Sequence, residues 1–442
     1  MQHPEIAVGI VSGQTIEFRF NGRFELVGGD HFLQGDQQAI FEHGKVKLTG
    51  SEISSEEFVL VPEDYNAADF QLKNVTIGVN FHWEQQENQQ FKGSLKLIVE
   101  NGQLTAINLL PIEDYLISVI SSEMSANSSL NLLKAHAIIS RSWLIAQIEK
   151  QEKISVEKKY ESFFSSEEEY IKWYDREDHE NFHVCADDHC QRYQGITRAH
   201  NPNVVKAVKE TAGVILTYKG QVCDARFSKC CGGVAELFEN CWEPVNHPYL
   251  TAVVDNPVFP VGFKADLSVE KNAIQWLNNS PEAFCNTNNE EVLKQVLNDY
   301  DRSAKDFYRW TAEYTNKELS ELIRRRSGND FGVIIDLIPI ERGTSARLIR
   351  LKIVGSKKTL VVGKELEIRR WFSESHLYSS AFTVEKKEVE NGIPEKFVLH
   401  GAGWGHGVGL CQIGAAVMGH KGYKYDEILR HYFKNITLES RY

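Results

Sequence analysis

"LPIEDYLISVISSEMSANSSLNLLKAHAIISRSW", residues 110–143, is where the hydrophobic period of this chain changes. Upstream, short apolar alternations such as "EIAVGIV", "TIEFRF", "KVKLTG", "FVLVP" and "GSLKLIVENGQLTAINLL" are broken by Gly, Asn and Asp, the pattern of half-buried strands. From Pro111 onward, Leu116, Val119, Ile120 and Glu123 fall at i, i+3, i+4 and i+7, a single helical stripe. A second helix follows, opened by Ser and Asn cap candidates and running through "LKAHAIISRSWLIAQIEK". A sheet-forming region thus hands over to a helical pair, which points to an α+β fold with sheets and helices segregated.

The rest of the chain extends this reading. Residues 150–180 are acidic with interleaved aromatics and read as an insertion on the solvent side. Strands return over 213–227, and the polar stretch 258–330 reads as largely helical. Residues 332–372 read as β, with turns at Arg342-Gly343 and Gly355-Ser356, and "DEILRHYF" makes a short closing helix. The expected organisation is a β-rich region over 1–95 and a core over 96–442. That core carries an insertion at 150–200 and a helical insertion at 258–330.

Composition limits the partners. The chain has 442 residues, 42% hydrophobic and 25% charged, with a formal net charge of -12. Such an acidic balance argues against nucleic acid, whose phosphates are bound by excess Lys and Arg. No apolar run reaches the roughly 18 residues of a membrane span. The opening "MQHPEIAVGIVSGQTIEF" lacks a basic region and a long apolar core, and reads as a strand instead of a signal peptide. The eight cysteines are too dispersed for a disulfide-stapled mini-domain. Cys223, Cys230, Cys231 and Cys241 read either as one disulfide with spare thiols or as buried free thiols.

Several groups carry chemical promise. Glu123 lies on the apolar stripe, where withdrawal from water is the usual device for keeping a carboxylic acid protonated at neutral pH. If the helix ended at Ser121 or Ser122 it would be a solvated turn residue instead. Lys134 and Arg141 share a helical face and could hold an anionic substrate group or form ordinary salt bridges. Glu113 and Asp114, at the helix start, favour its dipole. "DHENFHVCADDHCQRY" gathers Cys185, His189 and Cys190 with His179 or His183, a thiolate and imidazole set suited to tetrahedral zinc. "HGAGWGHGVGLCQIGAAVMGHKGY", residues 400–423, has neither a dinucleotide nor a P-loop pattern. Its glycines suit a tight wall for a sugar ring, with Trp404 and His406 beside it and Gln412 reaching hydroxyls, or else a compact turn system.

Together these segments resemble the SpoIID/LytB family, named for stage II sporulation protein D and an amidase enhancer. "LPIEDYLISVISSEMS…LKAHAIISRSW" resembles its Leu-Pro-Leu-Glu-Asp-Tyr-Leu opening, Glu-Met pair and Lys-Ala-x-Ala…Ala-Arg-Thr helix. "FSKCCGGVAELFENCWEPVNHPYL" resembles its Ser/Cys-Gly-Gly…Trp…Pro-Tyr-Leu segment, and "GAGWGHGVGLCQIGAAVMGHKGYKYDEILRHYF" its glycine-rich C-terminal signature. The three motifs stand in the family's order across roughly residues 90 to 440. The resemblance implies a peptidoglycan lytic transglycosylase, a lyase that leaves 1,6-anhydro ends on glycan strands, with Glu123 as its acid. It also implies a structural zinc on Cys185, His189 and Cys190, with His179 as fourth ligand. The implied partners are glycan strands and a cell-wall amidase; a non-catalytic amidase stimulator is the alternative, and a lysozyme-type hydrolase ranks third. The resemblance implies work outside the cytoplasm, while the lack of a visible signal peptide leaves a cytoplasmic location open. The chain departs from the pattern at Ser140-Arg141-Ser142-Trp143, at Cys230-Cys231-Gly232-Gly233 and in the added 258–330 region.

Overall fold

The computed structural model describes residues 4–29, 31–51, 53–78, 84–125, 127–154, 162–174, 179–187, 190–197, 201–297 and 306–442. The fold is α+β, as the change of period implies. Among the described residues, an eleven-stranded, mainly antiparallel sheet accounts for most of residues 5–111. Its long strand Thr15–Leu26 alternates buried and exposed side chains, with Phe18, Phe20 and Phe24 in the core. The opening strand Glu5–Gly13 pairs with Gln103–Pro111, whose register runs Glu5↔Pro111 to Gly13↔Leu104.

Helix α1 (Ile112–Glu123) leaves that sheet directly, with Pro111 at its N-cap. Leu116, Val119 and Ile120 are fully buried, so the stripe faces inward as expected. Each such side chain contributes about 1.5–3 kcal/mol of burial. Helix α2 (Leu130–Ile154) is started by Ser129, whose hydroxyl accepts the Leu132 N–H at 3.3 Å. Helix α3 (Pro202–Glu210) packs across both.

Glu113 and Arg141 tie the pair together. The Arg141 guanidinium donates through Nε (2.9 Å) and Nη2 (2.6 Å) to the two Glu113 oxygens, and through Nη1 to the Val214 carbonyl (2.9 Å). Glu113 also accepts the Gly213 N–H (3.2 Å) and the Tyr442 hydroxyl from the chain's end. Asp114 accepts the Tyr65 hydroxyl. The two acids of the first turn therefore do more than meet the helix dipole; each fastens α1 to another part of the fold.

Three expectations change. The 150–180 region is not only a solvent-side insertion: Phe163–Ser165 and Glu169–Lys172 complete a five-stranded sheet with 334–342, 348–355 and 359–363. The 258–330 region holds α4 (Glu270–Leu277), α5 (Glu290–Val296) and α6 (Asn316–Ser327), but also a strand, Arg309–Thr315. That strand pairs with Ile393–Ala402, so the region is built into the sheet that leads to the glycine segment. Within the stretch read as β, "ELEIRRW" is instead α7 (Glu365–Trp371), whose Ile368 and Trp371 are buried in the second core. Helices α8 (Gln412–His420) and α9 (Tyr425–Tyr432) close the core, and Thr437–Ser440 pairs with Val214–Tyr218. Among the described residues no helix is long and apolar enough to cross a membrane.

Breaking the buried ion pair from one side leaves its partner charge uncompensated. Glu113→Gln is therefore expected to lower stability by about 3–5 kcal/mol in denaturant unfolding. Lys134→Ala, which removes a half-exposed pair, should cost less than about 1 kcal/mol in the same measurement.

Candidate functional site

Glu123 is the last residue of α1, and Met124 leaves the helix in an extended conformation. The helix thus reaches the glutamate and stops there, between the two sequence alternatives. Its side chain is half-buried. Among the described residues it enters no hydrogen bond or ion pair, whereas Glu113, Asp114 and Glu236 are each held by donors. The loop behind it is fixed by Gln295 of α5. The Gln295 carbonyl accepts the Ser125 N–H (2.9 Å) and the Ser128 hydroxyl (2.8 Å), and its side-chain oxygen accepts the Ser129 N–H (3.1 Å). The added region thereby braces the chain that follows the candidate acid.

The two cations on α2 have partners of their own. Lys134 pairs with Glu210 of α3 at 2.6 Å. Arg141 is fully enclosed and taken up by Glu113, so it serves packing and has no solvent face for a substrate. Sequence periodicity put both on one face, but a packed neighbour covers that face.

The glycine segment answers the question its composition raises. Gly403, Gly405, Gly407 and Gly409 all have positive φ, between 74° and 98°. Arg347, fully buried, lies under the loop and donates to the Cys231 carbonyl (3.1 Å) and the Gly405 carbonyl (3.0 Å). A Cβ on Gly407 would come within 2.4 Å of the Arg347 guanidinium carbon, and one on Gly409 within 2.1 Å of the Arg226 carbonyl. The glycines are thus required by the protein's own groups, the compact turn system of the two alternatives.

Trp404 stands half-buried between Phe307 and Tyr378, with ring centroids at 4.7 and 4.5 Å. His406 is half-buried beside Trp242, and its Nδ1 accepts the Val408 N–H at 3.0 Å. Burial, aided by the charges of Arg226, Arg369 and Arg347, holds it well below the usual imidazole range. A neutral ring with an accepting Nδ1 carries its proton on Nε2. Gln412 is buried, and its side-chain amide is hydrogen-bonded to His136 (3.3 Å) inside the fold. The His136 Nδ1 meets the Ser140 hydroxyl at 3.2 Å, so this polar pair belongs to the α2–α8 interface.

The candidate metal ligands do converge. His179, Cys185 and Cys190 place their donor atoms within 4.8 Å of one another, with His179 Nε2 at 3.6 Å from the Cys190 sulfur. His183 is used elsewhere, accepting the Ala7 N–H at 3.0 Å, which favours His179 for the cluster. His189 lies outside the described residues. The segment is docked by parallel pairing of Val184-Cys185 with Val8-Gly9, and by Gln151 of α2 donating to the His179 carbonyl (2.6 Å). A Cβ at Gly9 would meet the Phe182 ring at 2.6 Å, so that approach needs glycine.

Two outcomes are expected here. Gly407→Ala, forced into a left-handed backbone against Arg347, should destabilise the fold by about 1–3 kcal/mol in thermal or denaturant melts. Gly405→Ala, whose Cβ would sit 3.1 Å from that of Ser228, should cost less. His136 is depressed to about 3 by burial and by Lys229. The unfolded chain therefore takes up this proton first, and stability should fall as pH drops below about 6.5. His136→Gln should flatten that part of a pH series of unfolding midpoints.

Comparison with known proteins agrees with this organisation. Residues 100–218, which hold Glu123 and the His179, Cys185 and Cys190 cluster, match the family model described as stage II sporulation protein. Residues 236–409 match a domain of unknown function, DUF8618. The chain is 26% identical over 352 residues to an uncharacterized protein of Brachyspira hyodysenteriae, covering 79% of this chain and 72% of that one. It is 23% identical over 337 residues to stage II sporulation protein D of Bacillus subtilis, covering 75% and 76%. It is 25% identical over 253 residues to the amidase enhancer of Bacillus subtilis, covering 54% of this chain and 33% of that protein. These matches and the three motifs in order support assignment of the chain to the SpoIID/LytB family.

Proposed function

We propose that this protein acts on the bacterial cell wall as a peptidoglycan lytic transglycosylase, with Glu123 as its general acid and then base. The family and the amidase-enhancer relative support a cell-wall role. The observation that carries the finer reading is the state of Glu123: a half-buried carboxylate at a helix end, uncommitted among the described residues, with the loop that follows it braced by Gln295.

One carboxylate suffices for this chemistry. Ordinary glycosidases pair an acid with a second carboxylate that attacks or activates water. On an N-acetylmuramic acid unit the C6 hydroxyl of the same ring can reach C1 once the glycosidic oxygen is protonated. The nucleophile is then intramolecular, and proximity replaces the second carboxylate. Glu123 gives its proton to the leaving oxygen, the glycosidic bond breaks, and the C6 oxygen bonds to C1. The C6 hydroxyl proton passes to Glu123, which restores the acid and leaves a 1,6-anhydro end. Trp404 is the residue of the glycine segment best suited to line a sugar, since part of its ring remains open.

His179, Cys185 and Cys190 form a set that would hold zinc, and the resemblance supplies His189, outside the described residues, as the fourth ligand. A closed four-ligand site supplies folding energy instead of an activated water. Its place against the opening strand would pin the 179–190 segment to the sheet that launches α1.

The amidase-enhancer relative favours a second reading, in which the protein stimulates a separate N-acetylmuramoyl-L-alanine amidase without cleaving glycan. Glu123→Gln separates the two. Removing a general acid should lower glycan cleavage by about 10²–10⁴-fold while leaving amidase stimulation intact. Cleavage by the variant at the wild-type rate would contradict the acid role.

A further inference from the structure

A second group of metal-binding side chains lies away from the His179 cluster. Cys231, Asp255, Cys285 and Cys411 are all buried and offer ligand atoms within 4.8 Å of one another. They come from parts of the chain far apart in sequence: the Cys230-Cys231-Gly232-Gly233 turn, the following loop, the added 258–330 region and the start of α8. None of these cysteines is in a disulfide.

The geometry is that of a coordination shell. The Cys231 and Cys285 sulfurs are 3.7 Å apart. Thiolates on tetrahedral zinc at about 2.3 Å stand about 3.8 Å from each other, whereas a disulfide needs about 2 Å. The Asp255 carboxylate is aimed by the Tyr432 hydroxyl on Oδ1 (2.6 Å) and by the Cys285 N–H on Oδ2 (2.8 Å). Such hydrogen bonds are what orient a ligating carboxylate. Cys411 caps the N-terminus of α8, where the helix dipole favours a thiolate, and its sulfur accepts the Cys231 N–H at 3.2 Å. Gly414, one turn into α8, clears space for the carboxylate: a Cβ there would lie 2.4 Å from Asp255 Oδ1 and 2.3 Å from the Tyr432 oxygen. A glycine inside a helix costs about 1 kcal/mol against alanine, and here it admits a buried acid.

We propose that Cys231, Asp255, Cys285 and Cys411 bind a structural zinc ion. Three soft thiolates and one carboxylate select zinc over the hard cations, and four protein ligands leave no position for water. The ion joins the added region to the first turn of α8, next to Gln412 and the glycine segment. It is independent of the His179 cluster and of the glycan reading.

Zinc content after dialysis against chelator tests this, measured by mass spectrometry of the metal on the full chain purified under reducing conditions. Cys285→Ser should lose about one equivalent of zinc per chain relative to wild type, and Cys185→Ser/Cys190→Ser should retain that equivalent. Equal zinc content in wild type and a folded Cys285→Ser would overturn the proposal. Should Cys285→Ser not fold, cobalt replacement in Cys185→Ser/Cys190→Ser decides. Thiolate-to-cobalt absorption in that variant supports the site. Its absence, or a Cys231–Cys285 disulfide found by peptide mapping of zinc-supplemented protein, contradicts it.

Discussion

Two opposite charges, Glu113 and Arg141, face each other where water hardly reaches, joined by two hydrogen bonds. Such a pair is costly to desolvate and costlier to break, so it specifies an arrangement more than it adds net stability. Here the arrangement is the angle of α1 on α2. The same carboxylate receives Gly213 and the Tyr442 hydroxyl, which locks the closing strand to the start of the helix. Twelve residues of helix, filled on one side by Leu116, Val119 and Ile120, then carry that fixed origin to Glu123. The position of the candidate acid is thus set at the far end of its own helix.

A second buried cation does similar work at the other end of the chain. Arg347 draws carbonyls from the Cys230-Cys231 turn and from the glycine segment onto one guanidinium. Its charge is shared with Glu365, fully buried at 3.8 Å. Around it the backbone has to pass too closely for side chains, which is why glycine recurs at alternate positions. Trp310 adds to the crowding: its indole N–H donates to the Gly403 carbonyl at 3.0 Å, and its ring occupies the place of a Cβ on Gly401. This strand belongs to the added region, so that region is part of the scaffold of the glycine segment.

The periodicity change at Pro111 made the strand-to-helix handover legible, because burial of one face leaves its period in the sequence. The convergence of His179, Cys185 and Cys190 was legible for a similar reason, all three lying within a dozen residues. Long-range partners leave no such trace. Nothing local distinguishes an arginine that binds substrate from one that binds Glu113, and of the two alternatives open to Arg141 the fold uses the salt bridge. Gln412 likewise meets a partner that no local pattern reveals, His136, 276 residues away. The strand Arg309–Thr315 was hidden by helices on both sides, and α7 by its β-like neighbours. The Cys231, Asp255, Cys285 and Cys411 group has no spacing to recognise; only the fold assembles it.

The proposed cleavage needs only a single carboxylate acting with an internal nucleophile, and the chemistry of the new chain ends reports on that most directly. Glycan strands stripped of peptide would be incubated with the wild-type protein and with Glu123→Gln, and the products resolved by mass spectrometry. This mechanism yields 1,6-anhydromuramyl ends with the wild type and none with the variant. Reducing ends in their place, or intact strands with a folded wild-type protein, would contradict it.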